Sequence, residues 1–132
     1  MSIQRVNDWI AYGKEALVAV GIAENGKIVK TFRGQISSFG AAISMGNLKS
    51  AVAFFSEQAG ASVPRENLLR AICYVLLRDG GREANAIRAR DIQTNEIFDY
   101  ICTHESVQLK NKFLDASIAL KLAMNLFELT KE

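Results

Sequence analysis

The side chains that could carry catalysis are few and lie far apart along the chain. The one histidine, His104, follows Cys102 by two positions, and on a helix that spacing points the two side chains to different faces. A nucleophilic Cys–His pair could still form with Cys73, because such pairs meet in space and not in sequence. The competing interpretation, which we favour, is a helix-terminal histidine and two buried thiols. A single imidazole cannot build a multi-histidine metal site.

The glycines and carboxylates indicate no other chemistry. Neither the dinucleotide-binding fingerprint nor the P-loop pattern occurs, and no predicted strand precedes a glycine-rich turn. The closest carboxylates, Asp91, Glu96 and Asp99, lie in a polar stretch that is typical of a solvated helix face. The sequence therefore predicts no catalytic residue, no metal site and no cofactor.

Two groups of basic residues are candidate sites for binding anions. Lys30 and Arg33 are three positions apart near a predicted helix N-terminus, which favours a phosphate between them, and Lys27 and Lys49 flank the same segment. The second group surrounds a pair of glycines and consists of Arg78, Arg82, Arg88 and Arg90. Guanidinium groups on mobile backbone suit phosphodiester contacts without sequence readout. For each group, ordinary solvated charge is the competing interpretation.

A long charge-free block separates Arg33 from Lys49. Gly34 to Leu48 contain no charged residue, and after Lys49 none occurs before Glu57. Helices that are apolar or small nearly all round must be buried on several sides, within their own bundle or against a partner. For most of the block we favour a central core helix. One stripe of small residues fits a close helix contact and a subunit interface equally well: Gly34, Ser37, Ser38 and Ala41.

Apolar residues three and four positions apart recur almost throughout, so we expect an all-α single domain over residues 1–132, a bundle of about five to six helices. The first helix should end at Gly21, before a polar turn at residues 24–27. The second should run from near Lys30 to Gly46 and bury four apolar side chains. The four are Phe32, Ile36, Phe39 and Ile43.

Capping residues mark the next two helices. Asn47 should cap the third, which buries an apolar stripe at Leu48, Ala51, Val52 and Phe55 and ends at Gly60. Ser62 should cap the fourth, with Pro64 in its first turn, where a missing N–H costs nothing. The fourth helix should then end at the clearest break in the chain, Asp79-Gly80-Gly81.

The last third of the chain is predicted to end in one long helix. Residues 82–93 should form a loop or frayed turn, after which Thr94 caps a short helix. No Gly or Pro interrupts the apolar pattern from about His104 to Leu129, which predicts a helix of about 26 residues and about 39 Å that braces the bundle.

The composition is that of a globular protein, with 49% apolar and 23% charged residues in 132. No stretch approaches the roughly 18 apolar residues that span a bilayer, and the polar start lacks the apolar centre of a signal peptide. Two cysteines are too few for a disulfide framework. We therefore expect a soluble, cytoplasmic protein without membrane contact.

The net charge of +2 hides an asymmetry between the two parts of the chain. Residues 1–90 carry 12 Lys and Arg against 7 Asp and Glu, whereas residues 91–132 carry 4 against 7. The first part is therefore +5 and the second −3. A moderately basic face can meet nucleic acid, although this charge is far below that of a histone-like protein.

The segment from Lys30 to Gln58 resembles the signature of the small helical subunit of the type III-B CRISPR effector, the Cmr or RAMP-module complex. The matching elements are Lys30-x-x-Arg33-Gly34, Ser37-Ser38-Phe39-Gly40-Ala41-Ala42-Ile43, Met45-Gly46-x-Leu48 and Ala51-Val52-Ala53-Phe54-Phe55-Ser56. Length, the early helix and the Leu-rich segment 67–77 agree with the family. Beyond residue 80 the chain contains no family motif.

This resemblance implies a non-catalytic protein of antiviral defence. In the family, several copies stack beside the RAMP backbone subunits that hold the CRISPR RNA, and together they line the channel for target RNA. Lys30 and Arg33 match the motif, so the resemblance points to them first for RNA contact. Stacking would join a front surface to a back surface, which gives a short array and not a ring.

Two other classes of protein remain open. The first is a stand-alone helical adaptor that binds another protein through its charge-free helices and never touches RNA. Partner binding that does not respond to salt would favour this class. The second is a small cysteine-dependent enzyme, which requires a reactive thiolate.

Overall fold

A computed structural model describes residues 2–56 and 65–131 of the chain. Helical residues make up 73% of this part, which confirms the predicted all-α class and single domain. The helices are α1 (Ile3–Ala19), α2 (Thr31–Met45), α3 (Leu48–Phe55), α4 (Glu66–Asp79), α5 (Thr94–His104) and α6 (Val107–Met124). Three short strands are β1 (Ala23–Glu24), β2 (Lys27–Val29) and β3 (Glu128–Thr130).

Helix α6 is the centre of the bundle, and α1, α2 and α4 pack around it. Two glycines allow the close approach. A Cβ added to Gly13 of α1 would lie 3.3 Å from the Cβ of Ala123, and one added to Gly40 of α2 would lie 3.4 Å from Ser117 Oγ. The residues of α6 that this packing buries are Phe113, Asp115, Ala116, Ser117, Ala119, Leu120, Ala123 and Met124.

The buried carboxylate of Asp115 ties α6 to the start of α1. Its side chain is 0% exposed, and Arg5 donates to Oδ2 from Nη2 at 2.6 Å and from Nε at 2.9 Å. The backbone N–H of Ser2 donates to the same carboxylate at 3.3 Å. A buried charge is tolerated only when it is paired and hydrogen-bonded, so these donors offset the desolvation of Asp115.

Polar contacts also join α1 to α4. The indole N–H of Trp9, which is buried, donates to Asp79 Oδ1 at 3.0 Å. One turn and a half further along α1, Glu15 Oε1 accepts from the Tyr74 hydroxyl at 2.9 Å and from Arg78 Nε at 3.0 Å. These contacts and the Asp115 pair fix α1 on both of its neighbours.

The predicted bounds of α2 and the predicted buried stripes of α2 and α3 are confirmed. Helix α2 begins at Thr31 and ends before Gly46, and its four predicted apolar residues are buried. Asn47 caps α3, because its Oδ1 accepts the backbone N–H of Ser50 at 2.8 Å. The predicted α3 stripe is buried, and its Phe55 ring meets Phe39 edge-on with centroids 5.0 Å apart.

The predicted long C-terminal helix is shorter than expected. Helix α5 ends at His104, and Ser106 begins a new helix by accepting the backbone N–H of Leu109 on its Oγ at 3.0 Å. Helix α6 then has 18 residues and ends at Met124. At 1.5 Å per residue its length is about 27 Å. The prediction of one helix from His104 to Leu129 is therefore wrong, and Leu129 belongs to β3.

The predicted polar turn at residues 24–27 is confirmed, and it joins two strands of a small sheet. Asn25 and Gly26 have φ angles of 54° and 77°, the left-handed conformation that a two-residue hairpin turn requires. They join β1 to β2 in an antiparallel pair, and β3 adds in parallel with Lys27 opposite Glu128. The sheet thereby returns the end of the chain to the beginning of α2.

The remaining boundaries differ from the prediction by small amounts. Gly21 follows α1 with a φ of 83°, and Gly81 follows α4 with a φ of 95°, so both predicted breaks are confirmed. Thr94 is the first residue of α5 and not its cap, a position that Gln93 takes. Two single turns of 3₁₀ helix lie within residues 82–93. The predicted end at Gly60 and cap at Ser62 lie outside the described residues.

Phe39 provides a test of this core. It is 0% exposed, so Phe39→Ala should lower the free energy of unfolding by about 3–5 kcal/mol, the cost of deleting a buried phenylalanine. Ser38→Ala, on the exposed side of the same helix, should change it by less than about 0.5 kcal/mol. Urea denaturation measures both. A loss below about 1 kcal/mol for Phe39→Ala would place this side chain outside the core.

Candidate nucleic-acid interface

Three cations gather where β2 leads into α2, and we call Lys27, Lys30 and Arg33 the basic end of α2. Lys27 and Lys30 are exposed and Arg33 is half-buried. The backbone holds them in place, since the N–H of Lys30 donates to the carbonyl of Thr130 at 2.7 Å and the N–H of Arg33 donates to that of Lys30 at 3.0 Å. The small sheet therefore positions this basic group.

The positive charge at the basic end of α2 is accessible to a ligand. None of its three side chains forms an ion pair with another residue of the described ranges 2–56 and 65–131. Arg33 Nε is buried and has no hydrogen-bond partner within those ranges. The free backbone N–H groups of a helix N-terminus add partial positive charge. The arrangement suits the phosphate of a nucleic-acid backbone and offers no base readout.

Lys49 is not part of this group. It follows α2, whose 15 residues separate it from Lys30 by about 22 Å. Its Nζ lies 3.4 Å from Glu105 Oε1, and both side chains are partly exposed. An exposed pair of this kind contributes at most about 1 kcal/mol, so Lys49 could exchange its partner readily.

The four arginines around Gly80-Gly81 divide into two pairs. Arg78 is occupied, because its Nε donates to Glu15 Oε1 and its guanidinium lies 4.7 Å from the Tyr12 ring centroid. The hydrogen bond to Glu15 raises the pKa of Arg78 above its already high ordinary value. Arg90 is also occupied, since its Nε donates to the carbonyl of Ala19 at the end of α1 at 3.1 Å.

The other two arginines, Arg82 and Arg88, are exposed. Sequence reasoning did not single out Tyr12 and Glu15, which hold Arg78. Their spacing of three places them on one face of α1, and that spacing was the available signal. Arg90 is exposed as well, but Arg82 and Arg88 are the two of the four whose side chains form no hydrogen bond or ion pair within the described residues.

Helix α2 exposes the face that lacks charge. Gly34, Ser37, Ser38 and Ala41 are all exposed, and Met45 at the end of the same helix is 89% exposed. The expectation that this block is a central core helix is therefore wrong for half of its surface. Helix α6 occupies the central place, so α2 buries one face only. We call these five residues the outer face of α2.

The serine hydroxyl groups of the outer face form hydrogen bonds with backbone carbonyls of their own helix. Ser37 Oγ donates to the carbonyl of Arg33 and Ser38 Oγ donates to that of Gly34, both at 3.1 Å. A Cβ added to Gly34 would have nothing within 4 Å. Because both hydroxyl donors already have acceptors, covering the outer face does not strip them of their hydrogen bonds.

The two thiols differ in environment. Cys73 is half-buried on α4, and burial raises the pKa of its thiol to about 12. Cys102 is exposed on α5, so the prediction that both thiols are buried is wrong. The ring of His104 is exposed, stacks on Tyr100 at 4.0 Å and lies beside Thr103. His104 Nδ1 contacts Thr103 Oγ1 and the carbonyl of Tyr100, and within the described chain no hydrogen bond joins it to Cys73.

Residues 2–56 and 65–131 contain no group of three or more His, Cys, Asp or Glu side chains that could hold a metal ion. None of their helices has both the length and the apolar character that crossing a membrane requires. Asp91, Glu96 and Asp99 are exposed, in agreement with the solvated face that their sequence predicts.

Comparison of the chain with protein-family models, with curated proteins and with solved structures finds no match.

Thiol labelling tests the interpretation of the cysteines. With a disulfide reagent at neutral pH, Cys102 should react rapidly and Cys73 much more slowly, because its thiol is half-buried and stays protonated. Burial raises the pKa of Cys73 from about 9 to about 12 in the fold. The stabilisation that comes from burying the neutral thiol is therefore fully present below pH 9, and it is lost as the pH rises towards 12. Two rapidly reacting thiols at neutral pH would contradict this account and favour a cysteine-dependent enzyme.

Proposed function

We propose that this protein is a non-catalytic small subunit of a type III-B CRISPR effector, the Cmr complex. Copies of it stack beside the RAMP backbone subunits and help to hold target RNA paired with the CRISPR RNA in antiviral defence in the cytoplasm. The observation that carries the proposal is one helix, α2, with an exposed charge-free outer face and three cations at its basic end. The resemblance of residues 30–58 to this family supports the same function.

The outer face of α2 suits a protein partner. The core of a protein interface is depleted in charged residues, and small side chains let two backbones approach closely. The Ser37 and Ser38 hydroxyl groups already have acceptors on their own helix, so covering them leaves no donor unsatisfied. A surface used by one copy against a different surface of the next produces an open array, as stacked subunits require.

The basic end of α2 suits RNA. In an RNA-guided effector, base pairing supplies the sequence specificity, and the protein needs to hold only backbone phosphates and duplex shape. Lys27, Lys30 and Arg33 provide charge for this purpose without base readout. Arg82 and Arg88 are secondary candidates, because they are exposed. Lys49, Arg78 and Arg90 already have partners within the chain.

A protein-binding adaptor without RNA contact is the second candidate. The exposed outer face of α2 favours it, since protein docking there makes no use of the basic end. The two functions differ in their response to salt. Counterions released from RNA phosphates make RNA binding fall steeply with salt, whereas docking through an uncharged face changes little.

The double variant Lys30→Ala/Arg33→Glu tests the RNA function in the assembled effector complex. It should leave the fold and the assembly intact and weaken target-RNA binding by roughly ten-fold or more, the effect of losing one or two charge-assisted contacts. The slope of log affinity against log salt should become shallower by about 1.5, because each lost phosphate contact contributes about 0.7 to 0.9. Filter binding over a salt series measures both quantities.

The control Lys14→Ala/Lys110→Glu makes the same change in net charge away from α2 and should leave affinity and slope nearly unchanged. If the α2 variant assembles and retains the original affinity and slope, the basic end does not contact RNA. If Ala41→Arg on the outer face abolishes assembly at the same time, the adaptor function replaces the proposed one.

A further inference from the structure

Helices α4, α5 and α6 enclose a groove of about 410 Å³. Small-molecule sites in proteins commonly have volumes of about 300 to 1,000 Å³ and apolar walls. The walls of this groove are mainly apolar and come from Leu76, Leu77, Ile92, Ile97, Leu109 and Phe113. It shares no residue with the outer face or the basic end of α2, so it is independent of the proposed function.

The groove is lined by more negatively charged groups than positively charged ones. Two carboxylates, Asp79 and Glu96, and one ammonium group, Lys112, line it together with Tyr100. All four are exposed, so they belong to the mouth of the groove and not to its floor. Burial keeps the Cys73 thiol, which also lines the groove, neutral at physiological pH, with a pKa of about 12. The mouth therefore carries net negative charge above an apolar interior.

One of the carboxylates is held in place from beneath. Asp79 Oδ1 accepts the indole N–H of buried Trp9 at 3.0 Å, which fixes the carboxylate at the C-terminal end of α4. The C-terminus of a helix carries partial negative charge, so the end of α4 adds to the attraction for a cation at this position. Glu96 supplies the second carboxylate from the first turn of α5.

We infer that this groove binds a small organic cation, an aryl-alkyl amine in chemical class. The apolar body fills the space between α4, α6 and the inner side of α5, where leaving water is favourable. The ammonium group stays at the mouth beside Asp79 and Glu96. This position lets it keep part of its hydration while it gains attraction from two carboxylates.

Three probes with the same carbon skeleton test the inference on the full chain: phenylpropylamine, phenylpropanol and phenylpropionate. The amine should saturate the groove with a Kd on the order of 1 mM or tighter, as expected for a ligand of about ten non-hydrogen atoms. It should bind roughly two- to five-fold tighter than the alcohol, the contribution of an exposed charge pair, and the carboxylate should bind more weakly than the alcohol. Amide chemical-shift changes locate the site, and slower labelling of Cys73 reports its occupancy.

Two variants separate a charge effect from apolar binding alone. Glu96→Gln should reduce the preference for amine over alcohol towards one and leave alcohol binding unchanged. The control Glu24→Gln removes an exposed carboxylate far from the groove and should leave the preference intact. The inference is overturned if no probe saturates the groove at millimolar concentration, if the carboxylate binds as tightly as the amine, or if Glu96→Gln leaves the preference unchanged.

Discussion

The burial of α6 between α1, α2 and α4 decides which surfaces of this protein face solvent. Gly13 and Gly40 let the neighbouring helices approach α6 closely, and the Asp115–Arg5 pair anchors α1 to it. Because α6 fills the centre, α2 is left at the periphery with one face buried and one exposed. The charge-free residues that would otherwise form a core therefore become the outer face on which the proposed protein contact depends.

The same packing determines which cations pair with groups inside the fold and which remain accessible to a ligand. Arg5 and Arg78 pair with carboxylates on neighbouring helices, and Arg90 donates to the carbonyl of Ala19 at the end of α1. The three cations at the basic end of α2 form no ion pair, because the short sheet that positions them brings no carboxylate within ion-pair distance among the described residues. Charge at this end is thus available to a phosphate backbone, as the proposed function requires.

Helical periodicity was sufficient to predict α2 and α3 with their buried stripes and the Asn47 cap. It was insufficient where short-range signals compete. Strands of two or three residues are too short to show alternation, so Asn25-Gly26 was the only available sign of the hairpin. The Ser106 cap, which divides the last helices, follows a stretch without Gly or Pro. The central place of α6 could not be predicted, because Lys110, Lys112 and Lys121 make its sequence look like that of a surface helix.

For the candidate site, the sequence identified the basic residues but not their partners. Whether an arginine is available depends on which helix packs beside it, and that is a property of the tertiary structure.

The most direct test of the account is purification of the tagged protein from its native cells at moderate salt, with mass spectrometry of the proteins and sequencing of the RNA that accompany it. The account predicts RAMP-type subunits together with short RNAs that share a repeat-derived 5′ end. Recovery of the protein alone, or with partners that carry no such RNA, would contradict it.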